Sequence, residues 1–186
     1  EEIKKENNLW ILKTNKGNFF SSPNIIIAGG VGSFEPRKLV LKEAEKFEGS
    51  QIFYSVNNKN FFQNKKISIF GGGDSALDWA LELSKSNEIT LIHRRAEFRG
   101  AAHTLNEIKQ KEKEGKILIK TPYKLKSIEG DKTMTGIEIE NEDGTLEKIK
   151  SDYILSFFGL IMKLGPIADW GLNISNKTIP VNTETF

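Results

Sequence analysis

Cysteine is absent from the 186 residues of this chain, and histidine is nearly absent. Without cysteine, these residues cannot supply a redox-active Cys-x-x-Cys pair, a thiolate-bound zinc or iron–sulfur site, or a structural disulfide. The two histidines, His93 and His103, give poor support for a Ser-His-Asp arrangement or a histidine metal cluster. The sequence therefore predicts no catalytic residue and no metal ligand of its own.

Long apolar segments and a large net charge are also lacking. The longest apolar stretches, residues 25–28 and 153–158, are far shorter than the roughly 20 residues that a membrane-spanning helix needs. The 27 basic and 25 acidic residues leave a net charge of +2, which is too small to attract nucleic acid or an anionic membrane. We therefore expect a soluble, cytoplasmic protein with neither as a partner, in which any cationic site is local.

The first part of the chain is less regular than the rest. It begins at Glu1 without an initiator methionine or an apolar targeting region, as expected of a piece of a longer protein. Short strands are predicted at residues 9–13 and 19–28, separated by a turn at 15–18. The glycines and proline of residues 29–38 are typical of a crossover between two units.

From Lys66 onward, short apolar segments alternate with amphipathic ones. Strands are predicted at residues 67–70, 89–93 and 116–120, and helices at 74–86 and 102–114. This β-α-β-α-β order predicts an α/β fold, in which a Rossmann-like parallel sheet is covered by helices on both faces and joined by right-handed crossovers.

A second pattern follows the alternating one. Residues 124–129, 136–140 and 146–150 alternate apolar and polar side chains around a hairpin turn at 141–144, which predicts an antiparallel three-stranded meander. The apolar run 153–158 is expected to return to the parallel sheet as a buried strand that ends at Gly159. The remainder, 160–186, should leave this domain.

The most specific motif is a glycine-rich turn between the first predicted strand and helix of the parallel sheet. Residues 71–76 fit the pattern G-x-G-x-x-A in the strand-to-helix context that dinucleotide binding requires. Gly71 permits the tight turn, Gly73 lets the backbone approach a pyrophosphate, and Ala76 allows close packing of helix and strand. The phosphates would lie at the helix N-terminus. The alternative is a glycine turn that binds no nucleotide.

The end of the second strand of the sheet is basic. A domain that selects NAD usually carries an acidic residue there, whereas this chain has Arg94, Arg95 and Arg99. Guanidinium groups suit a 2'-phosphate, so we predict NADP(H) rather than NAD(H). The alternatives are a solvated surface run, or pairing of the arginines with Glu97 and Glu107.

A second glycine cluster occurs at residues 29–32. It does not fit a dinucleotide turn, because Glu35 and Pro36 stand where the following helix should form. We interpret it as an interdomain crossover whose glycines let the backbone approach a flavin or the other domain.

Together, these motifs resemble the thioredoxin-reductase-like flavoproteins, whose pattern is GGG-x-[ST]-A followed by HRR-x-x-FR. Residues 52–62, which correspond to the Cys-x-x-Cys region of thioredoxin reductases, contain no cysteine. With residues 28–39 and 164–172, the chain therefore looks like a ferredoxin(flavodoxin)–NADP reductase of the thioredoxin-reductase type over nearly its whole length. By that resemblance, the arginines hold the 2'-phosphate and the glycine turn faces the pyrophosphate. The candidate cofactor-binding residues are Gly71, Gly72, Gly73, Asp74, Ser75, Ala76, His93, Arg94, Arg95, Arg99 and Gly159, with His93 the weakest of them.

The resemblance also implies how the chain is divided into domains. Residues 34–159 would form the NADP(H)-binding domain, 1–33 a remnant of an FAD domain, and 160–186 a segment that returns to it. The whole enzyme would transfer hydride between NADPH and FAD, use ferredoxin or flavodoxin as its electron partner, and form a homodimer. The fragment alone would bind nucleotide without turning over. A stand-alone NADP(H) sensor and another cysteine-independent flavoprotein reductase, of peroxide or quinone, stay open as alternatives.

Overall fold

The computed structural model describes residues 1–30, 32–182 and 184, and divides the chain into two compact units. One unit combines residues 1–35 with 160–186, and the other contains residues 36–159. The strands are, in chain order, β1 (Glu2–Glu6), β2 (Leu9–Lys13), β3 (Phe19–Ser22), β4 (Ser33–Pro36), β5 (Ile52–Phe53), β6 (Lys66–Gly71), β7 (Glu88–Ile92), β8 (Ile117–Lys120), β9 (Tyr123–Gly130), β10 (Met134–Asn141), β11 (Leu146–Lys150), β12 (Tyr153–Phe157) and β13 (Leu160–Lys163). The α-helices are α1 (Asp74–Leu83) and α2 (Ala102–Lys113), and short 3-10 helices cover Lys42–Phe47, Lys59–Phe61 and Gly165–Asp169.

The unit of residues 36–159 is built on a five-stranded sheet with the order β5-β12-β6-β7-β8. All of its neighbouring strands are parallel. The predicted return of the chain to this sheet after the meander is confirmed, because β12 lies between β5 and β6. The carboxyl ends of β12, β6 and β7 therefore meet at one edge of the sheet.

Each face of this sheet is covered by a different layer. Alternate side chains of β6 explain the division, because Ile67 and Ile69 pack with the two α-helices while Phe70 packs with the meander. The 3-10 helix Lys42–Phe47 adds Ala44 and Phe47 to the meander side. The predicted α/β fold class is thus confirmed. The expectation of helices on both faces was wrong for the two α-helices, which share one face, because the meander and the 3-10 helix cover the other.

The predicted meander forms with the order β11-β10-β9. Ile137 pairs with Ile128 on one side and Ile149 on the other, and it is fully buried together with Ile139. The inward side chains of the central strand therefore complete the core beneath the parallel sheet.

The unit of residues 1–35 and 160–186 contains an antiparallel sheet of β1, β2 and β3, in which Trp10 pairs with Ser22. β4 and β13 form a two-stranded sheet. No helix formed by the described residues is long and apolar enough to cross a membrane.

Several predicted boundaries were wrong. The strand expected over 19–28 ends at Ser22, because Pro23 cannot donate a backbone hydrogen bond, and Ile26 is 91% exposed. The stretch 29–38 contains β4 in addition to turns. The helix expected to reach residue 86 ends at Leu83, and the strand expected to reach residue 93 ends at Ile92.

Candidate nucleotide-binding site

The glycine turn, residues 71–76, connects β6 to α1 at the carboxyl edge of the parallel sheet. A Cβ atom built on Gly71 would lie 2.7 Å from Ala76 Cβ and 2.9 Å from the carbonyl oxygen of Phe157. Both distances are shorter than ordinary contacts, so position 71 accepts only glycine without a shift of the backbone. Ala76 is itself buried against the sheet. The tight packing expected of a G-x-G-x-x-A turn is therefore present.

The other two glycines have contrasting surroundings. A Cβ atom on Gly72 would lie 2.3 Å from Cε1 of His93, so the imidazole ring packs directly on the Gly72 backbone. A Cβ atom on Gly73 would meet no atom within 4 Å. Gly73 thus presents bare backbone to open space at the start of α1, where a phosphate could approach.

The N-terminus of α1 has no side-chain cap. Gly73 is the N-cap residue, and Asp74 and Ser75 in the first turn are exposed. The first N–H groups of a helix have no partner within the helix, and the helix dipole adds partial positive charge there. This end of α1 can therefore accept an anion through backbone N–H groups.

The arginine loop, residues 94–101, is attached to the glycine turn by backbone contacts. The N–H of Arg99 donates to the carbonyl oxygen of Gly72 at 2.6 Å. The N–H of Ala101 donates to Oδ1 of Asp74 at 3.1 Å. Gly100 lies so close to α1 that a Cβ atom there would be 2.2 Å from Cδ1 of Leu77. The structure thus brings the predicted cationic loop and the predicted phosphate turn together.

The three arginines create a local positive field around His93. Burial, followed by the positive charges of Arg95 and Arg94, holds the pKa of His93 below its usual value. The backbone hydrogen bond at Glu97 opposes this effect, and Arg99 adds the smallest lowering. The ring of His93 stacks on Phe98 with centroids 5.5 Å apart. His93 is therefore neutral near pH 7, and it packs against the turn.

Glu97 and Glu107, the alternative partners considered for the arginines, form no ion pair with them among the described residues. In the part of the chain that the structure describes, none of the three guanidinium groups forms an ion pair with a carboxylate. Glu107 lies 3.7 Å from His103 instead. The arginines are exposed and available to an anionic ligand.

Gly159 lies near the same edge of the sheet. Phe157 at the end of β12 pairs with Gly71, and Gly159 follows two residues later. Its carbonyl oxygen accepts a hydrogen bond from the N–H of Arg37 at 3.0 Å. With φ of 86°, Gly159 has a left-handed backbone conformation that favours glycine.

Sequence reasoning missed two contacts of this site. Asp74 was singled out only as a candidate cofactor-binding residue, whereas its carboxylate accepts the Ala101 N–H at the start of α2. The stacking of Phe98 on His93 was also not anticipated. The sequence shows only that Phe98, Arg99 and Gly100 follow the strand at a fixed spacing. This spacing does not indicate which residue the ring of Phe98 contacts.

A cavity of about 810 Å³ lies at the opposite edge of the parallel sheet. Its lining includes Lys66 and Glu88, which begin β6 and β7, whereas the glycine turn follows the end of β6. None of the predicted site residues lines it. The packing of the glycine turn, rather than this open groove, therefore identifies the candidate site. Among the described residues there is no cluster of His, Asp or Glu that could hold a metal ion.

Comparison with known proteins identifies the family of this chain. A family model described as pyridine nucleotide-disulphide oxidoreductase matches residues 1–186, which is the whole chain. The chain belongs to this family. Because it has no cysteine, it cannot contribute a redox-active dithiol despite the family's name.

The curated relatives of this chain have a more specific name than the family model. A ferredoxin–NADP reductase of Pelagibacter ubique (strain HTCC1062) is 60% identical over 186 residues, covering 100% of this chain and 55% of that protein. A ferredoxin–NADP reductase of Flavobacterium johnsoniae is 44% identical over 180 residues, covering 96% of this chain and 51% of that protein. The resemblance identified from the motifs is thus confirmed. The chain spans about half the length of these curated relatives.

Solved structures share the fold. A thioredoxin reductase from Lactococcus lactis, in the FR conformation, superposes with a TM-score of 0.77 at 25% identity, covering 92% of this chain and 55% of that one. A thioredoxin reductase from T. acidophilum gives a TM-score of 0.78 at 22% identity, with 95% and 57% covered. The chain therefore has a thioredoxin-reductase-like fold.

Proposed function

We propose that residues 34–159, which contain the compact unit 36–159, form the NADP(H)-binding domain of an FAD-dependent oxidoreductase. The pyrophosphate would lie on the glycine turn at the N-terminus of α1, and the 2'-phosphate would lie among Arg94, Arg95 and Arg99. The observation that carries this proposal is the hydrogen bond between Arg99 N–H and the Gly72 carbonyl oxygen, which joins the two halves of the site.

The residues fit the nucleotide in three respects. Gly73 faces open space, so a phosphate can approach the backbone without meeting a side chain. The first turn of α1 offers N–H groups that lack a side-chain cap. The guanidinium groups are free of carboxylate partners within the described residues, so binding of a phosphate need not break an existing ion pair.

The activity we propose belongs to the longer protein. Bound flavin would supply the hydride chemistry, and this chain would hold the dinucleotide and select NADP(H) over NAD(H). Residues 1–33 and 160–186 would belong to the FAD domain, and residues 34–159 would bind NADP(H). The relatives named ferredoxin–NADP reductase support ferredoxin, or flavodoxin, as the electron partner. We further propose a homodimer that resides in the cytoplasm.

Titration calorimetry of the 186-residue chain with NADP⁺ and with NAD⁺ tests the nucleotide assignment. We expect NADP⁺ to bind more tightly, because the three arginines have a phosphate to contact only in that ligand. Equal affinities, or tighter binding of NAD⁺, would contradict the assignment of the arginines.

Single substitutions at the arginines make this test residue-specific. Arg94→Ala or Arg95→Ala is expected to weaken NADP⁺ binding by about 1.5 to 3 kcal/mol for each charge-assisted hydrogen bond removed, and to leave NAD⁺ nearly unchanged. Lys109→Ala, which removes an exposed cation from α2, is a control for net charge. A matching decrease for both nucleotides would indicate a folding defect instead.

The flavin part of the proposal needs the longer protein. We expect it to purify with a yellow, bound flavin and to reduce ferredoxin or flavodoxin with NADPH. A colourless protein would favour a stand-alone NADP(H) sensor. A yellow protein that reduces quinones or peroxide but neither electron carrier would favour another flavoprotein reductase.

A further inference from the structure

We infer that Asp74 is a positioning residue for nucleotide selectivity, which holds the arginine loop on the glycine turn and does not itself contact the nucleotide. This inference rests on the proposed NADP(H) function. In this inference, the carboxylate of Asp74 determines the position of the three guanidinium groups relative to the glycine turn.

The arginine loop has no regular secondary structure that could fix it. It connects β7 to α2, and it is held by Phe98, which packs against the buried cluster, and by three contacts with the glycine turn and α1. The contacts from Arg99 N–H to Gly72 and from Gly100 to Leu77 involve main-chain atoms of the loop. The bond from Ala101 N–H to Asp74 Oδ1 also starts at the main chain, but its acceptor is a side chain. It is therefore the one of the three anchors that a substitution can remove by deleting a polar group alone.

The position of Ala101 at the start of α2 is a second reason to expect that this bond stabilises the loop. Ala101 is the N-cap residue of α2, its own methyl side chain makes no capping bond, and the first turn of the helix contains no acidic residue. The carboxylate of Asp74, projecting from α1, is thus the negative group that meets the start of α2. The bond fixes the point at which the arginine loop ends and the next helix begins.

Arg99 is held between two anchors. Its own N–H bonds to Gly72, and Ala101 is held by Asp74 two residues later. Loss of the second anchor removes the hydrogen bond that holds the backbone after Arg99 and leaves the packing of Gly100 on Leu77. Because NAD⁺ has no 2'-phosphate, a looser arginine loop should weaken NADP⁺ binding selectively.

The bond can be deleted from either side without changing an arginine. Asp74→Ala removes the acceptor. Ala101→Pro removes the donor, and the φ of −59° and ψ of 142° at Ala101 are compatible with proline. Asp74→Asn removes the charge but keeps an oxygen that can accept the same bond. Asp78→Ala removes an exposed carboxylate one turn further along α1 and serves as the matched control.

The test is titration calorimetry of the 186-residue chain, these four variants and the double variant Asp74→Ala with Ala101→Pro, each with NADP⁺ and NAD⁺, together with thermal unfolding. We expect Asp74→Ala and Ala101→Pro each to lower the ratio of NADP⁺ to NAD⁺ affinity about five- to tenfold. The double variant should be no less selective than either single one, because both delete the same bond. Asp74→Asn should keep the ratio of the parent even if its removal of negative charge tightens both nucleotides, and Asp78→Ala should change neither affinity.

Several outcomes would overturn the inference. If Asp74→Ala and Asp74→Asn change the ratio equally, charge and not the hydrogen bond is responsible. If Asp74→Ala lowers both affinities in parallel, Asp74 contacts the part that the two nucleotides share. If Asp74→Ala unfolds, Ala101→Pro still decides the question, since it keeps the carboxylate. A parent chain without preference for NADP⁺ would instead contradict the proposed function, whatever the variants do.

Discussion

At the scale of single residues, the three glycines of the glycine turn have separate tasks that substitution can distinguish. Gly72→Ala places a methyl group about 2.3 Å from the His93 ring, so the ring or the turn must move. We expect the free energy of unfolding to fall by about 1 to 3 kcal/mol, as overpacked sites usually show. Urea unfolding followed by circular dichroism measures this decrease.

Gly73→Ala is the matched substitution next to it. Its backbone, with φ of −105°, suits any residue, and the added methyl group meets no atom. The free energy of unfolding should therefore change by less than about 1 kcal/mol. Binding of NADP⁺ and NAD⁺ should weaken together, because the methyl group occupies the approach to the pyrophosphate. Unchanged binding of both nucleotides would place the phosphates elsewhere.

His93 makes a prediction about pH. Burial and the neighbouring arginines lower the pKa of His93 in the folded state. As the pH falls below about 6.5, His93 therefore binds a proton in the unfolded chain before it does so in the folded chain. Stability contributed by the neutral ring is therefore complete above that pH and is lost toward the lowered pKa. We expect urea unfolding to show a smaller loss of stability between about pH 7 and pH 5 in His93→Gln than in the parent. His103→Gln controls for loss of an imidazole, and equal slopes for the parent and His93→Gln would contradict the prediction.

Sequence alone located the residues of the candidate site but not all of their contacts. The G-x-G-x-x-A spacing and the three arginines are local patterns, and each acquires its meaning from the strand and helix beside it. The bond from Ala101 to Asp74 joins residues 27 positions apart, and the stacking of His93 on Phe98 depends on the path of an irregular loop. Such contacts are set by tertiary packing, which no local pattern encodes.

At the scale of elements, the sequence predicted regular segments well and irregular ones poorly. The strands β2 and β11 have the predicted bounds, because each lies next to a turn that the sequence marks, at residues 15–18 and 141–144. The apolar run 25–28 misled the prediction, since apolar residues indicate burial only when the backbone can join a sheet. The short strand β1, which is mostly charged and exposed, had no hydrophobic signal at all.

One side chain that the sequence did not single out joins the meander to the parallel sheet by hydrogen bonds, in addition to the shared buried cluster. The amide of Gln51 donates to the carbonyl oxygens of Met134 at 3.1 Å and Asp152 at 2.9 Å, and its oxygen accepts the Met134 N–H at 2.8 Å. Gln51→Ala removes all three bonds and should lower the free energy of unfolding by about 2 to 3 kcal/mol. Gln110→Ala, which removes an exposed contact with Glu114 on α2, should cost less than about 0.5 kcal/mol. Equal effects of the two substitutions in urea unfolding would show that Gln51 does not hold the meander.

At the scale of the whole molecule, the division into two units locates the proposed function in one of them. Every candidate cofactor-binding residue lies within residues 36–159. The sequence could indicate this grouping because the glycine turn, the arginines and Gly159 follow strands of one predicted sheet. It could not indicate that β4 pairs with β13, because these strands are about 130 residues apart and each is only four residues long.

Hydrogen exchange with and without NADP⁺ tests that location. We expect saturating NADP⁺ to slow the exchange of amides in the glycine turn and the arginine loop at short exchange times, which report local opening rather than global unfolding. The amides of β1, β2 and β3 should exchange at the same rate with and without nucleotide, because the proposed contacts all lie in the other unit. NAD⁺ at equal occupancy should protect the glycine turn but protect the arginine loop less, since it lacks the 2'-phosphate. Protection of β1–β3 as strong as that of the glycine turn would show that the nucleotide site is not confined to residues 36–159.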